Sequence, residues 1–178
     1  MAGWVETAEG KTIAASRFHS CVLSGLETRD PCIFADMLRV TKIFRFETAH
    51  AIHGYNGSCR NIHGHSYELH VTVQQQYHED EYLPAPGFVI DFKELKRMVH
   101  FAVIDRFDHC IILSEAYLEA HPFLRSLPNL EVWEAEPTAE NILLYIKNKL
   151  VHQLPEDVRL HELKLYETAD SYAEWSAQ

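Results

Sequence analysis

His50, Cys59, His63 and His65 fall within one short stretch, F-E-T-A-H-A-I-H-G-Y-N-G-S-C-R-N-I-H-G-H. Three imidazoles and a thiol in that pattern can hold a divalent transition metal. Catalytic zinc sites take three protein ligands and keep a fourth position for water or substrate, whereas structural sites close with four. Two arrangements follow. Either His50, His63 and His65 hold zinc and Cys59 stands beside them as a reactive thiol, or Cys59 is the fourth ligand of a closed site. A lone cysteine near three histidines leaves both open. The plain alternative, a strand end with hydrogen-bonded histidines, accounts less well for two same-face histidines beside a third. All three rings must be neutral to bind, so metal affinity is expected to fall at acid pH.

Other chemistry-bearing residues lie further along. Asp108 and His109 are adjacent polar residues after a helical segment, which alone reads as a loop. Glu167 shares an alternating face with Leu163 and Leu165, so the pattern predicts an inward carboxylate. A buried carboxylate needs partners. Protein cations or N–H groups satisfy it, or it anchors a ligand with matching donors; the pattern divides evenly between these. Most of the twelve histidines must be incidental. His19, His78, His121 and His152 read as surface groups, His70 takes the opposite strand face from His63 and His65, and His53 enters the loop.

These residues need elements to position them. Alternation from Val40 to His50 predicts a strand with Phe44, Phe46, Thr48 and His50 on one side. A loop through Gly54 and Ser58 leads to a second strand over about 63–75. There His63, His65, Tyr67, Leu69, Val71 and Val73 share a face, because strand side chains repeat every two residues. Antiparallel pairing of the two strands would bring His50 to the same spot. Beyond Pro84, Pro86 and Gly87, the residues Phe92, Leu95, Val99, Ala102 and Val103 have helical spacing, with Asp91 as N-cap and Glu94 its reciprocal partner. A short helix interrupted by Pro122 is expected within 114–127. Thr138 caps a second strong helix whose stripe is Ile142, Leu143, Ile146 and Leu150. A last strand carries Leu163, Leu165 and Glu167. This order of strands, two helices and a strand predicts an α+β domain with an antiparallel sheet.

The chain has 178 residues, enough for one domain with a real core. Its net charge of -10 argues against nucleic-acid binding. No stretch reaches transmembrane length, and Glu6 and Glu9 interrupt any signal-like start, so neither membrane nor export is expected. The cysteines, Cys21, Cys32, Cys59 and Cys110, are scattered without a C-x-x-C, which favours reduced thiols in the cytoplasm over a disulfide framework. Residues 1–36 lack a sustained period. They are an extension of unknown role, or an upstream start with the working domain, 37–178, beginning at Met37; the second is preferred.

From about Val40 onward the chain resembles the 6-pyruvoyl-tetrahydropterin synthase family, and within it the bacterial 6-carboxy-tetrahydropterin synthases. F-E-T-A-H resembles the family's F-x-x-A-H, and C-R-N-I-H-G-H-S-Y its C-x-x-x-H-G-H-x-[YF]. G-F-V-I-D-F-K-E-L-K, R-F-D-H, P-T-A-E-N and L-Y-E-T follow in family order. The resemblance implies a tunnelling fold, a four-stranded antiparallel sheet with two helices between strands 2 and 3, assembled into homohexameric barrels with active sites between subunits. It implies zinc on His50, His63 and His65, Cys59 as general acid/base with Asp108 and His109 as its partners, and Glu167 as pterin anchor with Thr138 a lesser contact. The implied activity converts 7,8-dihydroneopterin triphosphate to 6-carboxy-tetrahydropterin for deazaguanine (queuosine-type) biosynthesis. The pyruvoyl-forming reaction is the alternative within the enzyme class, and a non-catalytic zinc or pterin-binding module the alternative outside it. Arg45, Arg60 and Lys93 are unranked candidates for the triphosphate, and Cys110 reads as core or loop.

Overall fold

One-sided burial imposes a two-residue period on the long strands, and in the computed structural model that period holds. The described residues are 4–6, 12–14, 36–77 and 82–178; His19, His78, Cys21 and Cys32 lie outside them. The chain falls into two compact units, Met1–Phe34 and Ala35–Gln178. In the first unit, β1 (Trp4–Glu6) pairs antiparallel with β2 (Thr12–Ala14), with Val5 opposite Ile13. Strands this short leave no readable period, which is why the sequence pattern does not reveal them.

In the second unit, β3 (Asp36–His50) and β4 (His63–Tyr77) form a long antiparallel hairpin. Phe44, Phe46, Thr48 and His50 of β3 are buried, as are Tyr67, Leu69, Val71 and Val73 of β4. β7 (Arg159–Thr168) pairs antiparallel with β4, and β8 (Ser171–Ser176) with β7. On the other side, β5 (Cys110–Ser114) runs parallel to the end of β3 at Thr48–His50, and β6 (Leu130–Trp133) parallel to β5.

The sheet is therefore mixed and six-stranded, in the order β6-β5-β3-β4-β7-β8, and not the four-stranded antiparallel sheet expected from sequence. The four antiparallel strands are present and contiguous; β5 and β6 are the addition. β5 was missed because both its faces are covered. Cys110 and Ile112 enter the main core, while Ile111 and Leu113 pack with Ala51, Tyr117 and Leu118 in a second cluster. A strand buried on both sides has no alternation to read.

Two helical segments cover the core face. α1 (Phe92–Val99) begins at Asp91, whose carboxylate accepts the Lys93 N–H at 2.7 Å. It continues through a π-helical turn at His100–Ile104 into α2 (Asp105–Phe107). Leu95, Val99, Ala102 and Val103 are buried as their spacing predicts, but Phe92 is exposed, with the Lys42 ammonium 5.6 Å from its ring centre. Glu94 lies 3.8 Å from Arg97 rather than reaching back to the cap. α3 (Glu115–Ala120) and a 3-10 turn at Pro122–Ser126 form the interrupted helix. α4 (Ala139–Leu150) buries Ile142, Leu143, Ile146 and Leu150 against β7 and β8. No helix among the described residues is long and apolar enough to cross a membrane.

Candidate active site

The β3–β4 register sets His50 opposite His63 and Thr48 opposite His65, so the three histidines share the core face at one end of the hairpin. Their ligand-capable atoms all lie within 4.8 Å of one another. Two of the rings are oriented by the backbone. His50 Nδ1 is 2.5 Å from Pro137 O and His63 Nδ1 is 2.8 Å from Asn61 O, so each Nδ1–H donates to a carbonyl and each Nε2 is left as a lone-pair donor. His50 is buried and its Nε2 has no hydrogen-bond partner. A buried orphan acceptor is costly unless something fills the space beside it. Carbonyls that accept from the far ring nitrogen in this way hold metal-ligating imidazoles in one tautomer. Three converging imidazole nitrogens with an orphaned Nε2 thus fit a divalent transition metal of the zinc type. Burial lowers the pKa of His50 below its ordinary value, with His63 and His65 adding to the effect and Pro137 O and Glu167 opposing it. This keeps the ring neutral and able to ligate.

Cys59 lies on a 3-10 turn at Ser58–Arg60 in the β3–β4 connection. The turn is tied back by the Ile52 N–H, which donates to Cys59 O at 2.9 Å. The thiol is free and half-buried, and it is not among the converging ligand atoms. It lines a cleft of about 450 Å³ together with His50, His63, His65, Thr138, Glu140 and Glu167.

Glu167 extends from the core face of β7 into this cleft. Its Oε1 accepts the Tyr67 hydroxyl at 2.8 Å and lies 3.7 Å from His50 Nε2 and 3.9 Å from His65 Nε2. Burial and the adjacent carboxylate push the Tyr67 phenol well above its ordinary pKa, so it remains a donor. Thr138 is the N-cap of α4, and its hydroxyl oxygen accepts the Asn141 N–H at 3.4 Å. That bond leaves the Thr138 O–H for a ligand.

Asp108 and His109 stand elsewhere. Asp108 Oδ1 accepts the Glu47 N–H at 2.9 Å, and Oδ2 is 3.9 Å from His109 Nε2. His109 has φ +61, a left-handed backbone fixed on both sides: its N–H donates to Glu47 O, and its carbonyl accepts from Asn129 Nδ2, both at 2.6 Å. Such strain persists only where the surroundings enforce it. The His109 side chain is 80% exposed and lines a second depression with Glu47, Thr48, Gly64, His65 and Ser66, outside the cleft that holds Cys59. Among the described residues no hydrogen bond joins Asp108 or His109 to Cys59.

The remaining candidates separate cleanly. Arg45 pairs with Glu68 at 2.5 Å on the outer sheet face, and Lys93 starts α1, so of the three cations Arg60 is the one that flanks Cys59. His70 bonds Glu68 at 2.8 Å on the outer face, as its register predicts. His53 lies in the loop, its N–H donating to Glu136 at 2.7 Å. His152 is exposed, whereas His121 is half-buried and stacked on Tyr117 at 4.5 Å. Cys110 is core, its thiol pushed up to about 12 by burial. Sequence reasoning missed Glu140, Tyr55 and the Tyr67 hydroxyl. Glu140 carried a signal in P-T-A-E-N, but the Tyr67–Glu167 contact spans the whole domain and has no local signature.

The 6-pyruvoyl tetrahydropterin synthase family profile matches residues 39–178. The chain is 31% identical over 143 residues to the 6-carboxy-5,6,7,8-tetrahydropterin synthase of Haemophilus influenzae, covering 78% of this chain and 99% of that protein. It is 32% identical over 142 residues to the protein of the same description from Rickettsia bellii, with coverage of 78% and 99%. The 6-pyruvoyl tetrahydropterin synthase structure from Caenorhabditis elegans shares the fold, with a TM-score of 0.57 and 21% identity over 81% of this chain and 98% of that one.

Proposed function

The chain belongs to the 6-pyruvoyl tetrahydropterin synthase family, and from that premise we propose that it is a zinc-dependent lyase converting 7,8-dihydroneopterin triphosphate and water to 6-carboxy-5,6,7,8-tetrahydropterin, acetaldehyde and triphosphate. The product feeds deazaguanine (queuosine-type) biosynthesis. The observation carrying this reading is one cleft lined by three converging imidazoles, a free thiol and an inward carboxylate. Relatives about 30% identical along nearly their full length bear the name of that reaction's enzyme.

His50, His63 and His65 would hold the zinc, which polarises substrate hydroxyls as a Lewis acid when bound. The two backbone carbonyls at Asn61 and Pro137 keep His63 and His50 turned for that role. Glu167 anchors the pterin, whose 2-amino group and N3–H form a planar donor pair that a carboxylate accepts in bidentate fashion. The Thr138 O–H adds a weaker contact at the cleft wall. Cys59 Sγ takes and returns protons at the substrate side chain and ring, as general acid/base chemistry requires of a group within hydrogen-bond reach. Asp108 and His109 serve as its partners from a second copy, since in one chain neither lines the cleft that holds Cys59.

Assembly belongs to the same reading. β5 covers β3 only at Thr48–His50, so the rest of that edge is unpaired among the described residues, and β8 is bonded on one side only. Open edges at both ends of the antiparallel block favour joining of copies into barrels, as a homohexamer. The working domain is 37–178, with 1–36 an extension. A reduced, cytoplasmic setting follows from the need to keep Cys59 a free thiol.

The test is incubation of the zinc-loaded protein with dihydroneopterin triphosphate and identification of products. Acetaldehyde with a carboxylated pterin supports the proposal; a pyruvoyl pterin replaces it with the pyruvoyl-forming reaction. Cys59→Ala should abolish turnover while retaining zinc. Loss of zinc in that variant would make Cys59 a ligand and favour the non-catalytic module.

A further inference from the structure

Tyr67 is fully buried two residues beyond His65 on the same strand face, stacked on Phe46 with ring centres 5.3 Å apart. Its ring lies edge-on to His65 and His50, at 5.4 and 6.2 Å. The phenol is thus wedged against the imidazole cluster, and its hydroxyl donates to Glu167 Oε1.

The position of that oxygen has a chemical consequence. Zinc–nitrogen and zinc–oxygen bonds of about 2.0–2.1 Å in a tetrahedral site put neighbouring donor atoms about 3.4 Å apart. Glu167 Oε1 lies 3.7 Å from His50 Nε2 and 3.9 Å from His65 Nε2, close to donor–donor spacing for two of the three imidazoles, though it stands outside the converging group that includes His63. A side-chain rotation toward His63 would make this carboxylate the fourth ligand. It would then close the position that substrate must occupy and withdraw the pterin anchor at the same time. What opposes the rotation is Tyr67. A fully buried hydroxyl that loses its acceptor pays the desolvation penalty, and no other acceptor is bonded to it.

We propose that Tyr67 is a positioning residue that ties Glu167 Oε1 back, keeping the carboxylate turned to the pterin and out of the metal's fourth position. This deepens the proposed function and rests on it. Tyr67 touches neither substrate nor metal; it decides which of the two Glu167 serves.

Tyr67→Phe tests this with little risk to folding, because the ring keeps its stacking partner. Wild type and variant are loaded with Co2+, and thiocyanate binding is followed in the visible spectrum as a probe of the open position. We expect wild type to bind thiocyanate and Tyr67→Phe to bind it at least about tenfold more weakly, with KM for dihydroneopterin triphosphate raised about tenfold for one lost charge-assisted hydrogen bond. The double variant Tyr67→Phe/Glu167→Gln should bind thiocyanate like wild type, since a neutral amide is a poor ligand. A Tyr67→Phe protein with wild-type thiocyanate affinity overturns the proposal alone, as does a double variant that stays closed. Wild-type protein that takes up no Co2+, or whose spectrum ignores thiocyanate, overturns both this proposal and the zinc-lyase reading.

Discussion

Glu167→Gln isolates the carboxylate's charge and acceptor geometry at nearly constant shape. The Tyr67 hydroxyl, buried and 2.8 Å from Oε1, will keep the one carbonyl oxygen of the amide. The amide nitrogen must then face the cleft, where the pterin's 2-amino group and N3–H both need acceptors. Binding loses a charge-assisted hydrogen bond, worth about 1.5–3 kcal/mol, and leaves opposed donors unpaired at about 1–3 kcal/mol. The combined loss is roughly 2.5–6 kcal/mol, or about two to four powers of ten in kcat/KM at about 1.4 kcal/mol per power. The assay is steady-state kinetics on dihydroneopterin triphosphate, with metal content measured on the same preparation. A fall of about a thousandfold with zinc stoichiometry intact is the expected outcome. Turnover within tenfold of wild type would refute the anchoring role. Loss of metal would show that Glu167 already acts as a ligand in the resting protein.

Two further outcomes are expected. With Cys110 buried and its thiol pushed up to about 12, iodoacetamide at pH 8 should modify Cys59 and spare Cys110, read by peptide mass mapping; earlier labelling of Cys110 contradicts the assignment. Because burial holds the folded-state pKa of His50 below its ordinary 6.5, the unfolded chain takes up this proton first as pH falls. The associated stability is present above about pH 6.5 and is lost as pH drops through the folded value. Thermal midpoints of the metal-free protein should therefore decline on the acid side, and His50→Gln should flatten that part of the profile.

What the sequence discloses depends on whether a residue's environment is local. β3 and β4 each bury one face, so alternation marked Phe44 to His50 and His63 to Val73, and register then fixed the histidine cluster. The helix caps at Asp91 and Thr138 were legible because a cap is decided within a few residues. β5 was not, since Cys110 to Ser114 are all buried and show no period. β8 was hidden for a different reason: only Ala173 and Trp175 turn to the core, both partly buried, and two positions in six residues make a weak alternation. The π turn at His100–Ile104 inserts a residue into the helical ladder without any Gly or Pro to announce it. The Tyr67–Glu167 bond joins β4 to β7 and exists only once those strands pair.

The placement of Asp108 and His109 bears most directly on how the proposed chemistry is completed. A general acid or base must come within about 2.6–3.2 Å of its proton partner, directly or through one water. Within one chain, Cys59 opens onto the cleft of the histidines, while the His109 ring is exposed outside that cleft with its strained backbone pinned by Glu47 and Asn129. That rigidity argues against a loop that swings over to Cys59, because moving it would break both bonds at once. It favours a fixed outward presentation to a partner that docks. The open stretch of β3 lies next to Glu47, whose backbone holds the pair. On the proposed reading, pairing along that edge would bring another copy toward the pair. An isolated chain would then bind metal and pterin yet lack the proton partner of its thiol, which makes assembly a condition of turnover as well as of stability.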